Sequence, residues 1–329
     1  GCPNWITAVD HRSGSARNHG RAIWHSPCSS NEPERPKSKE DPMDNIASVR
    51  FWGVRGSIAT PGRQTAGVGG NTSCVEVVLA GERILLDGGT GLRALSQARA
   101  AAPLEAALLF GHLHWDHIQG VPFFGPLYHD GSRLRLVGPA GLEQALRGQM
   151  SGPMFPVGME VFRAATALET IRPGCSFTVG RVSVSTVALN HPGGAIGYRL
   201  EHDGRVVVYA CDHEQRPGRI DPGLLDLARG AELLIFDAQY LPEEYPAKAG
   251  WGHSTYAQGA ALALAAGART LVLTHHDPTR TDEQVLELEQ RARLLFPGAW
   301  AAREGMRFEL CGRPSRRRRD RSTIRSMHT

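Results

Sequence analysis

Four side chains of metal-binding type fall within six positions at His112-Leu113-His114-Trp115-Asp116-His117, directly after the apolar run Ala106-Ala107-Leu108-Leu109-Phe110. No other stretch constrains the chain so strongly. A short apolar run of this kind reads as a buried strand, and the strand must stop where the polar residues begin. Alternate side chains of an extended segment share a side, so His112 and His114 can point at one spot while Asp116 and His117 reach a second beside it. Imidazoles and a carboxylate suit a borderline-soft divalent ion such as zinc, with manganese and iron chemically possible, and two neighbouring ions can share a hydroxide. The competing reading is a polar loop that is merely rich in histidine.

Three more ligand-type residues sit at the ends of predicted strands. His191 follows the alternation Val182, Val184, Thr186, Val187; Asp212 follows Val206-Val207-Val208-Tyr209-Ala210-Cys211; His275 closes Thr270-Leu271-Val272-Leu273-Thr274. Taken singly each is an ordinary loop residue. At the same end of successive strands they support one another.

The series His112, His114, Asp116, His117, His191, Asp212, His275 resembles the HxHxDH, His, Asp, His series of the metallo-β-lactamase superfamily, over about residues 49–310. The resemblance implies a four-layer αββα sandwich of the α/β class. It further implies that His112, His114 and His191 hold one divalent ion, that Asp116, His117 and His275 hold the second, and that Asp212 bridges them. The commonest β-lactamases of this type carry cysteine where this chain has Asp212, which argues against an antibiotic hydrolase. Phe236-Asp237-Ala238-Gln239-Tyr240 and Gly252-His253-Ser254-Thr255 look like the paired segments of the tRNase Z and phosphodiesterase branch, with aspartate in place of the usual glutamate. In that branch a carboxylate orients a histidine serving the leaving group, so Asp116, Asp237 and His253 are expected to be the catalytic residues. A carboxylate one carbon shorter has to be brought closer to its histidine.

Many tRNase Z enzymes carry a protruding RNA-binding arm between the segments that correspond to His191 and Asp212. Here that interval is filled by two predicted strands, 195–201 and 206–210, and has no room for one. The expected reaction is therefore hydrolysis of a small or cyclic phosphodiester by a hydroxide bridging two ions, with His253 protonating the departing alkoxide. Three alternatives stay open: an acyl hydrolase for lactones or thioesters, an RNA-processing nuclease, and a non-enzymatic metal-bound sensor or nucleic-acid binder.

Residues 1–44 lack apolar periodicity and read as a disordered extension, with Met43 a candidate natural start and no secretory signal. The hydrolase domain is placed at 45–312 and a basic disordered tail at 313–329. That tail carries seven arginines against Asp320, so although the whole chain is at +4, the body between the two ends is near −2. The tail could touch nucleic acid; the pI says little about the site.

Within the body, 74–79 and 83–86 read as a hairpin leading to Asp87, taken as a loop organiser. A helix is expected over 92–102, stopped by Pro103. Residues 118–128 are expected to begin helically and break at Pro122 and Pro126, with Phe123, Phe124 and Tyr128 in the core. The irregular apolar stretch 150–160 is expected to be a lid, a homodimer contact or packing against the sheet. Thr255 with Gln258 reads as a capping box opening a helix that ends near Gly267. In the glycine-rich loops Arg55, Asn71 and Thr72 are candidate substrate contacts, with turn duty as the competing role. Six cysteines without CxxC spacing exclude a zinc ribbon or redox pair. Cys74 and Cys211 lie in apolar strands as buried thiols, which implies a cytoplasmic setting. No apolar run is long enough to span a membrane.

Overall fold

A computed structural model describes residues 46–99 and 102–312. The expected extension and basic tail lie outside the described residues. The first sheet holds β1 (Ser48–Gly53), β2 (Cys74–Leu79), β3 (Glu82–Leu86), β4 (Glu105–Leu109), β5 (Arg133–Gly138), β6 (Ala165–Thr170) and, at its far edge, β14 (Arg307–Glu309). The second holds β7 (Ser176–Val179), β8 (Val182–Leu189), β9 (Ala195–His202), β10 (Arg205–Ala210), β11 (Leu233–Asp237), β12 (Thr270–Thr274) and β13 (Ala299–Ala301). The helices are α1 (Gly91–Ala98), α2 (Trp115–Ile118), α3 (Leu142–Gln149), α4 (Pro222–Ala228), α5 (Tyr256–Ala266) and α6 (Asp282–Leu295).

Each sheet is half antiparallel and half parallel. In the first, β14-β1-β2-β3 pair antiparallel and β3-β4-β5-β6 parallel. In the second, β7-β8-β9-β10 are antiparallel and β10-β11-β12-β13 parallel. Parallel strands require crossovers, and these carry the helices to the outer faces.

Strand periodicity sorts the apolar residues into layers. Along β10, Val207 and Tyr209 enter the core between the sheets, while Val206, Val208 and Ala210 face α4 and α5. Along β4, Ala107 and Leu109 point to the central core, and Ala106, Leu108 and Phe110 to the layer beneath α1, α2 and α3. Three apolar layers thus separate helix, sheet, sheet and helix, which is the αββα sandwich.

Some local expectations change. Helix α1 ends at Ala98, where the Arg99 N–H bonds to the Ser96 carbonyl, well before residue 102. Pro122 and Pro126 do not break a helix; each lies in the first turn of a short 3-10 segment (Val121–Phe123 and Gly125–Tyr128). There the missing N–H has no intrahelical partner to lose. Phe123 is 55% exposed and is not a core residue, whereas Phe124 is buried. The Phe155 ring of the 150–160 stretch packs edge-on to Phe123 at 5.8 Å. The capping box at Thr255 is present with both reciprocal bonds, and Gly267 closes α5 at φ 62°. No described helix is long and apolar enough to cross a membrane.

Candidate metal centre

Most site residues sit just past strands of the parallel halves, and His191 follows the antiparallel strand β8. Three of them, Asp87, Asp212 and His275, have φ of 62°, 58° and 61°. Residues other than glycine rarely adopt this left-handed conformation, although Asp and His do so more readily than most, and each instance costs about 1–3 kcal/mol. The sharp turn it makes swings each side chain back across the strand end, so folding energy is spent on aiming these three groups.

The structure brings together all seven candidate ligands. His112, His114, His191 and Asp212 each offer an atom to one common point, and Asp116, His117 and His275 do so at a second. Asp212 lies between them: Oδ2 is 3.0 Å from His112 Nε2 and 3.1 Å from His117 Nε2, and Oδ1 is 3.0 Å from His275 Nε2. Asp116 Oδ2 is 3.2 Å from both His117 Nε2 and His275 Nε2, and it accepts the Ser57 N–H at 2.8 Å. His191 Nε2 is 3.1 Å from His114 Nδ1.

A divalent ion fits this donor set. His112 Nε2 is buried 3.0 Å from Asp212 Oδ2 without a well-aligned hydrogen bond, which leaves it able to turn to an ion. Burial lowers the pKa of His114, and that of His191 to about 4, leaving neutral rings able to ligate. His117 is fully buried, which would lower its pKa, but Asp116, Asp212 and Asp87 surround it and raise it well above the usual histidine range. Burial likewise works against ionisation of Asp212, yet His275, His117 and His112 hold it far below the usual carboxylate range. The site therefore draws positive charge to a buried position around His117 and Asp212, while the exposed His114 leaves the first ligand group open to solvent.

The other nitrogen of three of these rings is fixed. His117 Nδ1 bonds to Asp87 Oδ2 at 2.8 Å, and Asp87 also accepts from the Tyr209 hydroxyl (2.6 Å) and the Gly111 N–H (2.7 Å). His275 Nδ1 bonds to Gln239 Oε1 and His191 Nδ1 to the Gly252 carbonyl, both at 2.9 Å. Such bonds select the tautomer that presents Nε2 inward. Asp87 is thus the organiser that was expected. Gln239 and Tyr209 were not anticipated, though Gln239 lies in the segment already singled out.

Asp237 ends β11 and is buried; its Oδ2 is 2.7 Å from His253 Nδ1. Its Oδ1 accepts the Ser254 and Gln239 N–H groups at 3.2 and 3.1 Å, which fixes the carboxylate plane. The short reach demanded of an aspartate is met because His253 comes to it. Glu214 draws the loop inward by accepting from Gly250 N, Gly252 N and the Tyr245 hydroxyl, and no sequence signal announced it. The His253 ring then stacks on His275 at 4.9 Å and lies 5.3 Å from His191. Burial would lower the His253 pKa, but Asp237 raises it to about 9.

The three candidate substrate contacts take part in holding loops. Arg55 is 0% exposed and donates to the carbonyls of Gly69 (2.8 Å) and Arg280 (2.7 Å). Asn71 pairs through its backbone and side chain with Glu304, and Thr72 exchanges bonds with Thr90. A guanidinium turned into the protein to satisfy buried carbonyls has no face left for substrate.

Residues 82–276 match the Beta-lactamase superfamily domain. The chain is 27% identical over 312 residues to a Ribonuclease Z from Gemmatimonas aurantiaca, covering 80% of this chain and 95% of that one. Among solved structures it resembles the metallo-beta-lactamase fold protein YhfI from Bacillus subtilis (TM-score 0.63, 20% identity, 80% of this chain and 99% of that one). It also resembles the short form of human tRNase Z (TM-score 0.57, 23% identity, 80% and 99%).

Proposed function

This chain belongs to the beta-lactamase superfamily, and we propose that within it the protein is a dinuclear metal-dependent phosphodiesterase acting on a small or cyclic phosphodiester. The observation that carries this reading is the buried Asp237–His253 pair, 2.7 Å apart and stacked against the candidate ligand His275. A lone ligand cluster would serve acyl transfer equally well. An oriented imidazolium beside it serves a reaction whose leaving group is a poor one and must be protonated as it departs.

His112, His114 and His191 would hold one ion, Asp116, His117 and His275 the other, with Asp212 shared. Four buried carboxylates, Asp87, Asp116, Asp212 and Asp237, are gathered here. Asp237 has the His253 imidazolium as its partner; uncompensated burial of the remaining charge is prohibitive, and bound dications would offset it. When bound, such a pair supplies Lewis acidity and an acidified water. The protein's own part is to hold the diester against the ligand wall and to aim His253. With Nδ1 committed to Asp237, the Nε2–H of His253 is the proton available to the leaving oxygen, and Asp237 steadies the charged ring until transfer.

A second reading, RNA processing, is favoured by the relative named Ribonuclease Z. Against it, β9 and β10 pair from Arg205 and His202, leaving only Asp203-Gly204 as the turn, so this interval carries no protruding arm. The test is hydrolysis of bis-p-nitrophenyl phosphate beside a lactone and a thioester, with metal counted and Asp212→Ala as control. Diester cleavage lost in the control supports the reading; activity on the acyl compounds alone replaces it.

A further inference from the structure

Lys248 is the sole lysine between residues 46 and 312. Its Nζ lies 4.2 Å from the Trp251 ring centroid and 5.9 Å from that of Tyr240, and the Tyr240 ring in turn meets His253 edge-on at 5.7 Å. The ammonium is therefore two ring contacts from His253, the group proposed to protonate the leaving oxygen.

The surrounding backbone is built to hold it there. A short 3-10 segment, Tyr245–Ala247, is followed by two successive turns, in which Lys248 N bonds to Tyr245 O at 2.8 Å and Trp251 N to Lys248 O at 3.1 Å. This folds Lys248 over the indole. Glu214 pins the same loop through Gly250, Gly252 and Tyr245.

The acids that border this loop are already committed. Glu243 pairs with Arg291 at 2.7 Å, Glu244 with Arg280 at 2.8 Å, and Glu214 is spent on the loop's N–H groups and the Tyr245 hydroxyl. Lys248 is left half-buried with aromatic faces and no carboxylate partner among the described residues, while Trp251 keeps 59% of its surface open beside it. An ammonium held this way keeps its donors for an incoming anion.

We propose that Lys248 is a specificity-determining residue that binds an anionic group, of phosphomonoester type, carried by the leaving group, with the open Trp251 face taking a flat ring attached to it. The substrate class is then a nucleotide-bearing phosphodiester with an additional phosphate on the departing side. This rests on the phosphodiesterase reading above.

The experiment compares kcat/KM for the dinucleotides TpT, pTpT and TpTp with metal-loaded wild type, Lys248→Met and Lys248→Arg, each first checked for an unaltered circular dichroism spectrum and metal content. Wild type is expected to favour one of the two terminally phosphorylated forms over TpT by about 10-fold or more, the scale of a charge-assisted contact. Lys248→Met should bring that ratio close to one, and Lys248→Arg should keep most of it. A wild-type ratio near one, or a ratio unchanged in Lys248→Met, overturns the proposal and leaves the phosphodiesterase reading standing. Cleavage of none of the three by a wild type that hydrolyses bis-p-nitrophenyl phosphate overturns this proposal alone, and absence of cleavage of every diester overturns both.

Discussion

The Nδ1 of His191 bonds to the carbonyl of Gly252 at 2.9 Å. The segment that carries the proposed acid His253 thereby also orients a candidate metal ligand that ends a different strand, and the two halves of the site cannot move independently. Gly252 has φ of 90°, and a Cβ there would come within 2.2 Å of that same Nδ1.

Gly252→Ala is therefore expected to displace the His191 ring. Backbone strain alone costs about 1–3 kcal/mol, and the loss should appear as a lower melting temperature together with less bound metal. Metal content and stability both at wild-type level would show that the loop yields without disturbing His191.

Removing the carboxylate behind His117 tests the orienting shell. Asp87→Asn retains the shape but weakens the bond to His117 Nδ1, and metal affinity should fall about 10- to 100-fold, the usual scale for such partners. Chelator competition monitored by a metal-sensitive dye measures this; an unchanged affinity would make Asp87 a loop residue only.

His253→Ala should leave metal content intact and slow hydrolysis of an alkyl diester by about 10²–10⁴-fold, as for loss of a general acid. A p-nitrophenolate leaving group needs no proton, so bis-p-nitrophenyl phosphate should lose far less. Equal loss on both substrates would assign His253 a structural role.

The same pair predicts a pH profile. Asp237 raises the His253 pKa to about 9, so the acid is charged and competent below that pH and is lost as pH rises through it. Bound cations repel the proton and move the fall to lower pH. Wild-type kcat on an alkyl diester should therefore drop on the alkaline side, with no matching limb for p-nitrophenyl substrates. A limb of the same position on both would remove His253 from the step.

Asp212→Ala takes away the one carboxylate that faces both ligand groups, with Oδ2 near His112 and His117 and Oδ1 near His275. Metal per chain, measured by mass spectrometry of the purified protein, should fall below the wild-type value and hydrolysis should be abolished. Retention of full metal content would mean that the two histidine sets hold ions without it.

Much of the fold was legible because burial in a sandwich imposes local periods. The apolar runs before His112, Asp212 and His275 announced strands, and Thr255 with Gln258 announced the start of α5, since a capping box is made entirely within four residues. Boundaries set by packing were less legible. Helix α1 stops at Ala98 although the apolar pattern runs on, and Phe123 faces outward toward Phe155 although its neighbours are core. Arg55 looked like a free cation in a glycine loop; only distant carbonyls, at Gly69 and Arg280, show why it turns inward.

The sequence by itself determined which residues could ligate and that they end strands, because ligand chemistry and side-chain alternation are local properties. Tertiary structure decided what each one faces. Asp212 meets His112 across 100 positions of chain, His117 is aimed by Asp87 on a neighbouring strand, and His275 by Gln239 at the end of another. Those pairings arise from two sheets packing so that their parallel halves run out at one edge, a long-range register that no local pattern records.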